Sequence, residues 1–421
     1  MPAEPRNGST ADNNSSQVEE SAVPPPSSGP APALRPATSR SHVQILGMQN
    51  RSQCGYCGTP SGSRFFGARG RQLTCADYQA MVDRGWRRSG TLLYLTDHSD
   101  SCCAYYTIRT HALRHELRRS DKKLLRRWHR LELLGDPEAG SGDWSPDGRV
   151  LARGRRLEVI LEPAGFSEEK FLVFERYQKT VHNDNDDTRT GFKRFLCDSP
   201  LLYDPAGSGS VLSCGYGSYH QCYYVDGRLA AVGVIDILPR CVSSVYLFYD
   251  PDFADLSLGT YSSLREMALV RTLNRQVSAE IEFYYMGYYI PSCPKMTYKA
   301  RWRPADLLDL TTLTWVPIER CLERIRQHPV FCSFDPRADD RGLVRDTAQD
   351  KLDHAPVIDQ KTLSDTERRR AMQLVFWIHS DTIFPVTGAQ LVAISADVES
   401  VVLQGCASLG LPLASRVSLE L

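Results

Sequence analysis

The fold class is decided by residues 226–239, which read DGRLAAVGVIDILP. The Asp-Gly pair is a hairpin signal, and the apolar run after it is typical of a buried strand. Further strands are predicted at 211–216, 221–225, 243–249 and 280–290, with a helix from about Ser257 to Asn274 that uses Ser257 as its N-cap. The order hairpin, strand, helix, strand predicts an α+β mixed sheet with one parallel crossover.

The rest of the chain is organised by changes in composition. The first 41 residues are rich in Pro and Ser and poor in apolar residues, so they predict a disordered tail. Two Gly- or Asp-rich stretches indicate linkers, and a capping box from Ser364 to Glu367 starts a small element near the C-terminus. The predicted divisions are a disordered tail (1–41), a Cys-rich metal-binding unit with a basic helix (42–134), a linker (135–156), a transferase domain (157–334), a second linker (335–360) and a small C-terminal element (361–421).

The overall composition is that of an ordinary globular protein. Lys+Arg and Asp+Glu both total 50 in 421 residues, so net charge does not indicate a partner. No apolar run reaches the ~18 residues that a membrane span needs, and the N-terminus lacks the apolar region of a signal peptide. We therefore expect no membrane partner and a location in the cytoplasm, with the nucleus as a second compartment.

A basic helix is predicted over residues 110–134. Leu113, Leu117, Leu124, Trp128 and Leu131 form one apolar stripe, and between Arg109 and Arg130 nine Lys/Arg face only two acidic residues. Such a face neutralises RNA phosphates or is simply solvated, and both interpretations stay open. The candidate tRNA contacts are Arg118, Arg119, Lys122, Lys123 and Arg126 on this helix, and Lys170, Lys179, Lys193 and Arg194 elsewhere.

Thirteen cysteines in a chain without a secretory signal favour metal or redox chemistry over disulfides. Cys54 and Cys57 form a C-x-x-C pair, and Cys102 and Cys103 are adjacent about 45 residues later. Four thiolates suit a tetrahedral zinc ion or an iron–sulfur cluster. The alternative is a redox pair at 54 and 57 with two merely buried thiols at 102 and 103. His98 is a possible substitute ligand, and Cys75 is expected in the core.

Several long motifs resemble those of one family, the eukaryotic arginyl-tRNA–protein transferases. They cover about residues 50–310 in order: CGYC (54–57), DYQ (77–79), DRGWRRSG (83–90), CC (102–103) with YTIR (106–109), YQ (177–178) with His182, SYHQ (218–221), the 226–239 stretch, FYDP (248–251), SLGTY (257–261), YYMGYYI (284–290), SCPKM (292–296) and YK (298–299).

The resemblance implies transfer of arginine from arginyl-tRNA to acidic (Asp, Glu) or oxidised-Cys N-termini, which marks proteins for N-degron-dependent degradation. It implies an acetyltransferase-like (GNAT) second domain preceded by a small cysteine-rich domain whose Cys54, Cys57, Cys102 and Cys103 are the metal ligands. One departure is visible: Ala104-Tyr105 stands where the family commonly has Pro-Gln. Loss of that proline is expected to relax the backbone beside the ligands.

Candidate roles follow from the reaction. Aminoacyl-tRNA is an activated ester, so the enzyme mainly has to position the acceptor amine, helped by a base. Asp236, after the buried run 230–235, is the candidate base, and a turn-capping role is equally open. Pocket and acceptor candidates are Tyr219, His220, Gln221, Tyr177, Gln178 and His182, with Lys295, Lys299 and Arg301 as cations for an acidic side chain. The tyrosines at 284, 285, 288 and 289 are expected to be packed in a strand.

Two rival functions remain at this point. One is a CoA-dependent N-acetyltransferase, which would need a Gly-rich loop before its phosphate-binding helix. Here the segment before the predicted helix offers Asp255 and the single Gly259, so no CoA is expected. The other rival is a non-catalytic, zinc-stabilised protein that binds RNA or degrons. Arginine transfer from tRNA to a peptide separates all three functions.

Overall fold

The structure, a computed structural model, describes residues 40–98, 100–130, 149–153, 157–205, 214–339, 342–347, 350, 352, 361, 363–378, 384–390 and 398–421. The predicted disordered tail lies outside these residues except for its last two, and the predicted linker 135–156 lies outside them except for 149–153. Within the described residues, no helix is both long enough and apolar enough to cross a bilayer.

The strands form two large sheets and one small one. In chain order the strands are β1 (His42–Met48), β2 (Phe65–Gln72), β3 (Arg87–Ser89), β4 (Leu92–Thr96), β5 (Tyr106–His111), β6 (Arg149–Arg153), β7 (Leu157–Pro163), β8 (Gly217–Val225), β9 (Arg228–Leu238), β10 (Cys241–Tyr249), β11 (Phe283–Tyr289), β12 (Ala305–Asp309), β13 (Thr314–Pro317), β14 (Phe331–Cys332), β15 (Val344–Arg345), β16 (Val375–Ile378), β17 (Phe384–Thr387) and β18 (Ser418–Glu420).

The helices lie between these strands. They are α1 (Cys75–Asp83), α2 (Arg119–Arg130), α3 (Glu168–Tyr177), α4 (Arg189–Phe192), α5 (Leu258–Gln276), α6 (Pro294–Thr297), α7 (Ile318–Gln327), α8 (Asp365–Gln373), α9 (Val398–Leu409) and α10 (Leu411–Ala414). Two π-helical turns, Gln178–His182 and Lys193–Cys197, continue α3 and α4, and two short 3₁₀ turns are Pro251–Leu256 and Tyr298–Arg301.

The larger sheet contains the predicted hairpin and crossover. Its strand order is β13-β12-β5-β11-β10-β9-β8-β7-β6. Asp226 and Gly227 join β8 to β9 with φ of 51° and 74°, as a tight hairpin turn requires. β10 and β11 are parallel and are connected by α5. The hairpin, the single crossover in this segment and the mixed α+β class are therefore confirmed.

The parallel pair β10–β11 separates after a short contact. Only Cys241–Ser243 pair with Phe283–Tyr285, although both strands continue. Each strand also has an irregularity beyond that point: β10 shifts register between Ser244 and Tyr246, and β11 shifts between Tyr285 and Tyr288, where Gly287 has a φ of +68°. Bulges re-aim side chains and end pairing, so they open a gap here, which we call the β10–β11 gap.

The two faces of this sheet are covered by different helices. On one face, Ile235 and Ile237 pack against Leu264 and Met267 of α5. On the other face, Val232 and Val234 pack with α3 and α4, and residues nearer the end of β9 pack with α1. Because successive residues of a strand point to opposite faces, neighbouring positions on β8 and β9 face different helices.

Local predictions were corrected in four places. The helix predicted over 110–134 begins at Arg119, because Thr110 and His111 belong to β5 and pair with β11 and β12. Ser257 does precede α5, but it has a φ of 56° and its side chain makes no cap. The strand predicted over 280–290 is the shorter β11. The strand predicted over 211–216 falls partly on residues outside the described ones, and β8 begins at Gly217.

The second sheet combines strands from both ends of the chain. Its order is β17-β16-β18-β1-β2-β4-β3, with β18 lying parallel to both β1 and β16. The predicted capping box at Ser364 is present on α8. β5 comes from the predicted Cys-rich unit but belongs to the larger sheet. Part of the predicted linker 335–360 is packed, since Arg345 of β15 is buried. The predicted domain boundaries stay a prediction, although the strands do not separate along them.

Candidate functional site

Asp236 lies on the α1 face of β9 and is fully buried in an ion pair. Its two oxygens accept from Arg88 of β3 at 2.7 and 2.8 Å, and one also accepts from Ser218 Oγ at 2.6 Å. The carboxylate therefore joins the two large sheets through a two-pronged guanidinium contact. The predicted role of Asp236 in orienting or deprotonating the amine stays a prediction. Both of its oxygens already accept hydrogen bonds, which does not favour that role, and among its described hydrogen bonds none caps a turn.

His220 lies on the same face as Asp236 and is also fully buried. Its Nε2 bonds to the Leu196 carbonyl at 2.9 Å, and its Nδ1 accepts from Lys170 Nζ at 3.1 Å. Burial, with the Lys170 charge beside it, lowers the pKa of His220 to about 3, so the ring is neutral. Lys170, which was predicted to contact phosphates, is buried and pairs with Glu162. Its charge is therefore not exposed for such a contact.

Tyr219 and Gln221 lie on the opposite face, under α5, so the predicted Tyr-His-Gln group is divided by the strand. The Tyr219 hydroxyl donates to the Gly215 carbonyl at 2.7 Å. The Tyr223 hydroxyl donates to Gln221 Oε1 at 2.6 Å, whereas Gln221 Nε2 is buried without a hydrogen-bond partner. An open donor in the interior is costly unless a ligand or water satisfies it.

Glu266 of α5 is a candidate that the sequence reasoning missed. Its side chain is buried beside Gly233 of β9, where an added Cβ would lie 3.2 Å from Glu266 Oε1. Burial raises the pKa of the Glu266 carboxyl to about 7, while the nearby Tyr284 and Ser244 hydroxyls oppose that rise. Its Oε2 has no hydrogen-bond partner. Since Ser244 directly follows the paired residues of β10, this carboxylate lies where the β10–β11 gap begins.

Several predicted acceptor residues gather at the mouth of the same gap. The rings of Tyr177 and His182 are 5.3 Å apart, and Gln178 Oε1 accepts from Tyr246 of β10 at 3.0 Å. Burial lowers the pKa of His182, and the Lys295 charge lowers it further. The structure therefore brings together Tyr177, Gln178, His182 and Lys295 from two distant segments. Tyr298 lies near both Glu266 and Tyr177, which links the mouth to the interior.

Lys299 is a buried cation beside this mouth. Its Nζ donates to the Tyr288 carbonyl at 2.8 Å, and burial, with the Arg87 charge nearby, lowers its pKa to about 7. Arg87 is also buried, with Nε and one terminal nitrogen lacking partners. Among the described residues no carboxylate pairs with either cation. Arg301, the third predicted cation, is instead paired with Asp121.

The basic face of α2 is exposed as predicted, although its helix is shorter. Trp128 of α2 stacks on Tyr261 of α5 with 4.2 Å between ring centroids, and Arg127 donates to the Asp255 carbonyl at 2.7 Å. This contact places the basic face beside the start of α5. Exposed side chains are those of Arg118, Arg119, Lys122, Lys123 and Arg126 here, and those of Lys179, Lys193 and Arg194 on the two π-helical turns.

The four predicted cysteine ligands converge. The Sγ atoms of Cys54, Cys57, Cys102 and Cys103 all lie within 4.8 Å of one another. Cys57 and Cys102 are 3.3 Å apart. Four convergent thiols are a donor set that fits a soft metal, so the residues suit the implied group. Cys75 is buried and donates to the Leu202 carbonyl, as expected of a core residue.

Tyr105, which departs from the family motif, is built into this site. Its hydroxyl lies 3.2 Å from Cys54 Sγ, and its backbone N–H donates to His98 Nε2 at 3.0 Å. Burial lowers the pKa of His98 to about 4, which keeps the ring a neutral acceptor. The relaxation expected from the missing proline is therefore opposed by His98, which holds this backbone instead of serving as a ligand.

Comparison with known proteins gives consistent results. Residues 52–123 match the family model described as "Arginine-tRNA-protein transferase, N terminus", and residues 169–309 match the model described as "Arginine-tRNA-protein transferase, C terminus". The matched segments carry the cysteine site, the start of α2, the β8–β9 hairpin and the β10–β11 gap.

Curated relatives extend the match. Arginyl-tRNA–protein transferase 1 of Drosophila melanogaster is 31% identical over 404 residues, covering 66% of this chain and 83% of the relative. Arginyl-tRNA–protein transferase 1 of Arabidopsis thaliana is 50% identical over 187 residues, covering 44% and 29%. The aspartate/glutamate leucyltransferase of Stutzerimonas stutzeri (strain A1501) is 30% identical over 274 residues, covering 64% and 96%. The chain belongs to the family of arginyl-tRNA–protein transferases, which are aminoacyltransferases.

Proposed function

We propose that this protein transfers arginine from arginyl-tRNA to the α-amino group of proteins that begin with Asp, Glu or oxidised Cys. In this reaction the amine nitrogen attacks the ester carbonyl, the C–N bond forms and the C–O bond to the ribose breaks. The ribose oxygen leaves as a hydroxyl after gaining a proton that the nitrogen loses. The products mark proteins for N-degron-dependent degradation, in the cytoplasm and nucleus.

The observation that carries this proposal is the β10–β11 gap. Acceptor candidates Tyr177 and Lys295 lie at its mouth, a buried carboxylate lies at its inner side, and the basic face of α2 lies along the adjoining helix α5. A gap in a sheet can hold an amine against an ester and exclude water, which is the main requirement of this reaction. This arrangement also supports the proposed acetyltransferase-like (GNAT) class.

The acidic acceptor needs a cation, and Lys299 with Arg87 supplies the best candidates. Both are buried near Tyr288 without a carboxylate partner among the described residues, so a bound acidic side chain would compensate charge that is otherwise costly to bury. The relative from Stutzerimonas stutzeri carries aspartate and glutamate in its name, which supports acidic acceptors. Lys295 is exposed and offers a weaker, screened charge.

The deciding experiment measures labelled arginine passing from arginyl-tRNA to peptides that begin with Asp or with its neutral isostere Asn. Transfer to the Asp peptide is expected under both anaerobic and aerobic conditions, and absence of transfer under both would overturn the proposal. Lys299→Gln should reduce the Asp-over-Asn preference about 30-fold or more, since it removes a buried charge contact. Lys295→Gln is the matched control and should change that preference by about threefold or less.

For the donor, we propose that α2 binds the tRNA backbone and that CoA is not used. Lys122→Gln with Lys123→Gln should weaken tRNA binding for all sequences. The slope of its salt dependence should fall by about one unit for each phosphate that is no longer neutralised. Lys193→Gln with Arg194→Gln tests the second basic segment in the same assay. An unchanged salt slope in the α2 variant would assign that face to solvent alone.

For the metal, we propose that Cys54, Cys57, Cys102 and Cys103 hold zinc or an iron–sulfur cluster. Bound metal would neutralise the four thiolates and tie β5 to the segment after β1. Elemental analysis and visible absorbance of anaerobically purified protein distinguish the two, because zinc sites have no visible absorbance.

A further inference from the structure

The inner side of the β10–β11 gap contains a carboxylate with no cation to neutralise it. Glu266 is about 1% exposed, its Oε2 has no hydrogen-bond partner, and it takes part in no ion pair within the described residues. The Tyr284 and Ser244 hydroxyls hydrogen-bond to the carboxylate, but a buried charge without a counter-ion still destabilises the fold until a cation arrives. The site therefore has the features of one that is completed by a positively charged ligand.

The surroundings of Glu266 contain further buried polar atoms that lack hydrogen-bond partners. Gly233 has no side chain, and a Cβ there would lie 3.2 Å from Glu266 Oε1, which is a tight contact. The Tyr223 hydroxyl fixes the Gln221 oxygen, which leaves the Gln221 amide nitrogen without a partner on the same side. The Tyr261 hydroxyl in this face is also without a partner. A glycine within a central strand often marks the close approach of another group.

The proposed donor carries a cationic group that suits the Glu266 carboxylate. Arginine ends in a planar guanidinium with five N–H donors, and a carboxylate is its best acceptor. The similar protein from Drosophila melanogaster is named for arginine, which is cationic, and the similar bacterial protein is named for leucine, which is apolar. A few side chains near the ester must make that distinction, and a buried carboxylate favours the cation.

We propose that Glu266 binds the guanidinium group of the arginine on the donor tRNA and so selects arginine over neutral amino acids. This inference rests on the proposed function and deepens it, because it assigns the donor side chain to the inner side of the β10–β11 gap. Glu266 is then a specificity residue, and a role as general base is the competing assignment.

The test charges one tRNA with either arginine or citrulline, its neutral isostere, and compares transfer to a single Asp-initiated peptide. Because both donors are measured in one preparation, their ratio does not depend on the fraction of folded enzyme. The unaltered protein should prefer arginine, and Glu266→Gln should reduce that preference about 100-fold, as expected for losing a buried charge contact. Glu266→Asp should give an intermediate ratio because it keeps the charge but shortens the reach.

A matched control is available in Asp187, whose Oδ2 is also buried without a partner near the mouth of the gap. Asp187→Asn should leave the arginine-to-citrulline ratio unchanged. A binding measurement with adenosine carrying arginine or citrulline through a stable 3′-amide should show the same selectivity without any chemistry.

The outcomes separate the two levels of inference. An equal loss of both donors in Glu266→Gln would overturn donor selection and assign a base or structural role. If the preference for arginine over citrulline is lost in Asp187→Asn but kept in Glu266→Gln, the guanidinium site is at Asp187 and the proposal is overturned. If the unaltered protein transfers neither donor, the proposed function itself fails.

Discussion

The two faces of the β8–β9 hairpin bury polar groups in opposite states. On the α1 and α3 face, Asp236 is paired with Arg88, and His220 is bonded to Lys170 and to a carbonyl. On the α5 face, Gln221 Nε2 and Glu266 Oε2 have no partner. Satisfied groups stabilise a fold, whereas unsatisfied ones reduce stability and persist where a ligand completes them. The difference indicates that the polar groups of this hairpin are structural on the α1 and α3 face, and that those on the α5 face are open to a ligand.

The largest effect is expected from Asp236→Asn. It leaves the buried Arg88 guanidinium without its counter-charge, and the free energy of unfolding should fall by about 3–5 kcal/mol in urea titrations. The double variant Arg88→Met with Asp236→Leu should recover most of that loss, because it removes both charges. Transfer activity retained in the double variant would confirm an anchoring role for Asp236. Activity abolished despite recovered stability would instead make Asp236 catalytic and would break the comparison between the faces.

Glu266→Gln should act in the opposite direction and depend on pH. Burial raises the pKa of Glu266 from an ordinary 4.5 to about 7, so the folded state holds this proton more tightly than the unfolded state. The resulting stability is fully present below pH 4.5 and is lost as the pH rises through 7. At pH 8 the variant should therefore be more stable than the unaltered protein, by on the order of 3 kcal/mol.

At pH 4.5 the same two proteins should differ little, because the carboxyl is protonated and resembles the amide. Urea unfolding at both pH values checks this, with the exposed Glu280→Gln as the control that should not respond. A loss of stability at pH 8 would mean that Glu266 has a cationic partner in the free protein, which would contradict the assignment of the α5 face to a ligand.

The sequence predicted local features of this fold well. The Asp226-Gly227 turn, the crossover through α5 and the four cysteines are encoded within short segments. The pairing of Arg88 with Asp236 joins residues 148 positions apart, and β18 joins β1 across most of the chain, so neither could be read from local patterns. Tertiary pairing also overrode the helical pattern at residues 110–111.

Two features of the site could have been recognised in the sequence alone. Strand alternation at 219–221 already implies that His220 faces away from Tyr219 and Gln221. A glutamate at 266 continues the buried positions 258 and 262 at four-residue spacing, so a charge on the apolar stripe of α5 was visible. What the sequence could not supply was the β10–β11 gap, because it arises from bulges at Ser244 and Gly287.

The smallest effect is a contrast between two buried tyrosine hydroxyls. Tyr285, on the α1 side, donates to Asp83 at 2.6 Å, whereas the Tyr261 hydroxyl on the α5 side has no partner. Tyr285→Phe should cost about 1–1.5 kcal/mol because it deletes a hydrogen bond to a charged acceptor. Tyr261→Phe keeps the stack on Trp128 and should change stability by less than about 0.5 kcal/mol.

Urea unfolding of the two phenylalanine variants measures this contrast without donor present. Each variant is the control for the other, because both remove one oxygen from a buried ring. Equal costs would show that the Tyr261 hydroxyl is satisfied after all, by water or by a neighbour. Addition of the arginyl adenosine amide then tests whether the Tyr261 hydroxyl contacts the donor. If it does, Tyr261→Phe weakens binding of that ligand, whereas Tyr285→Phe leaves the binding unchanged.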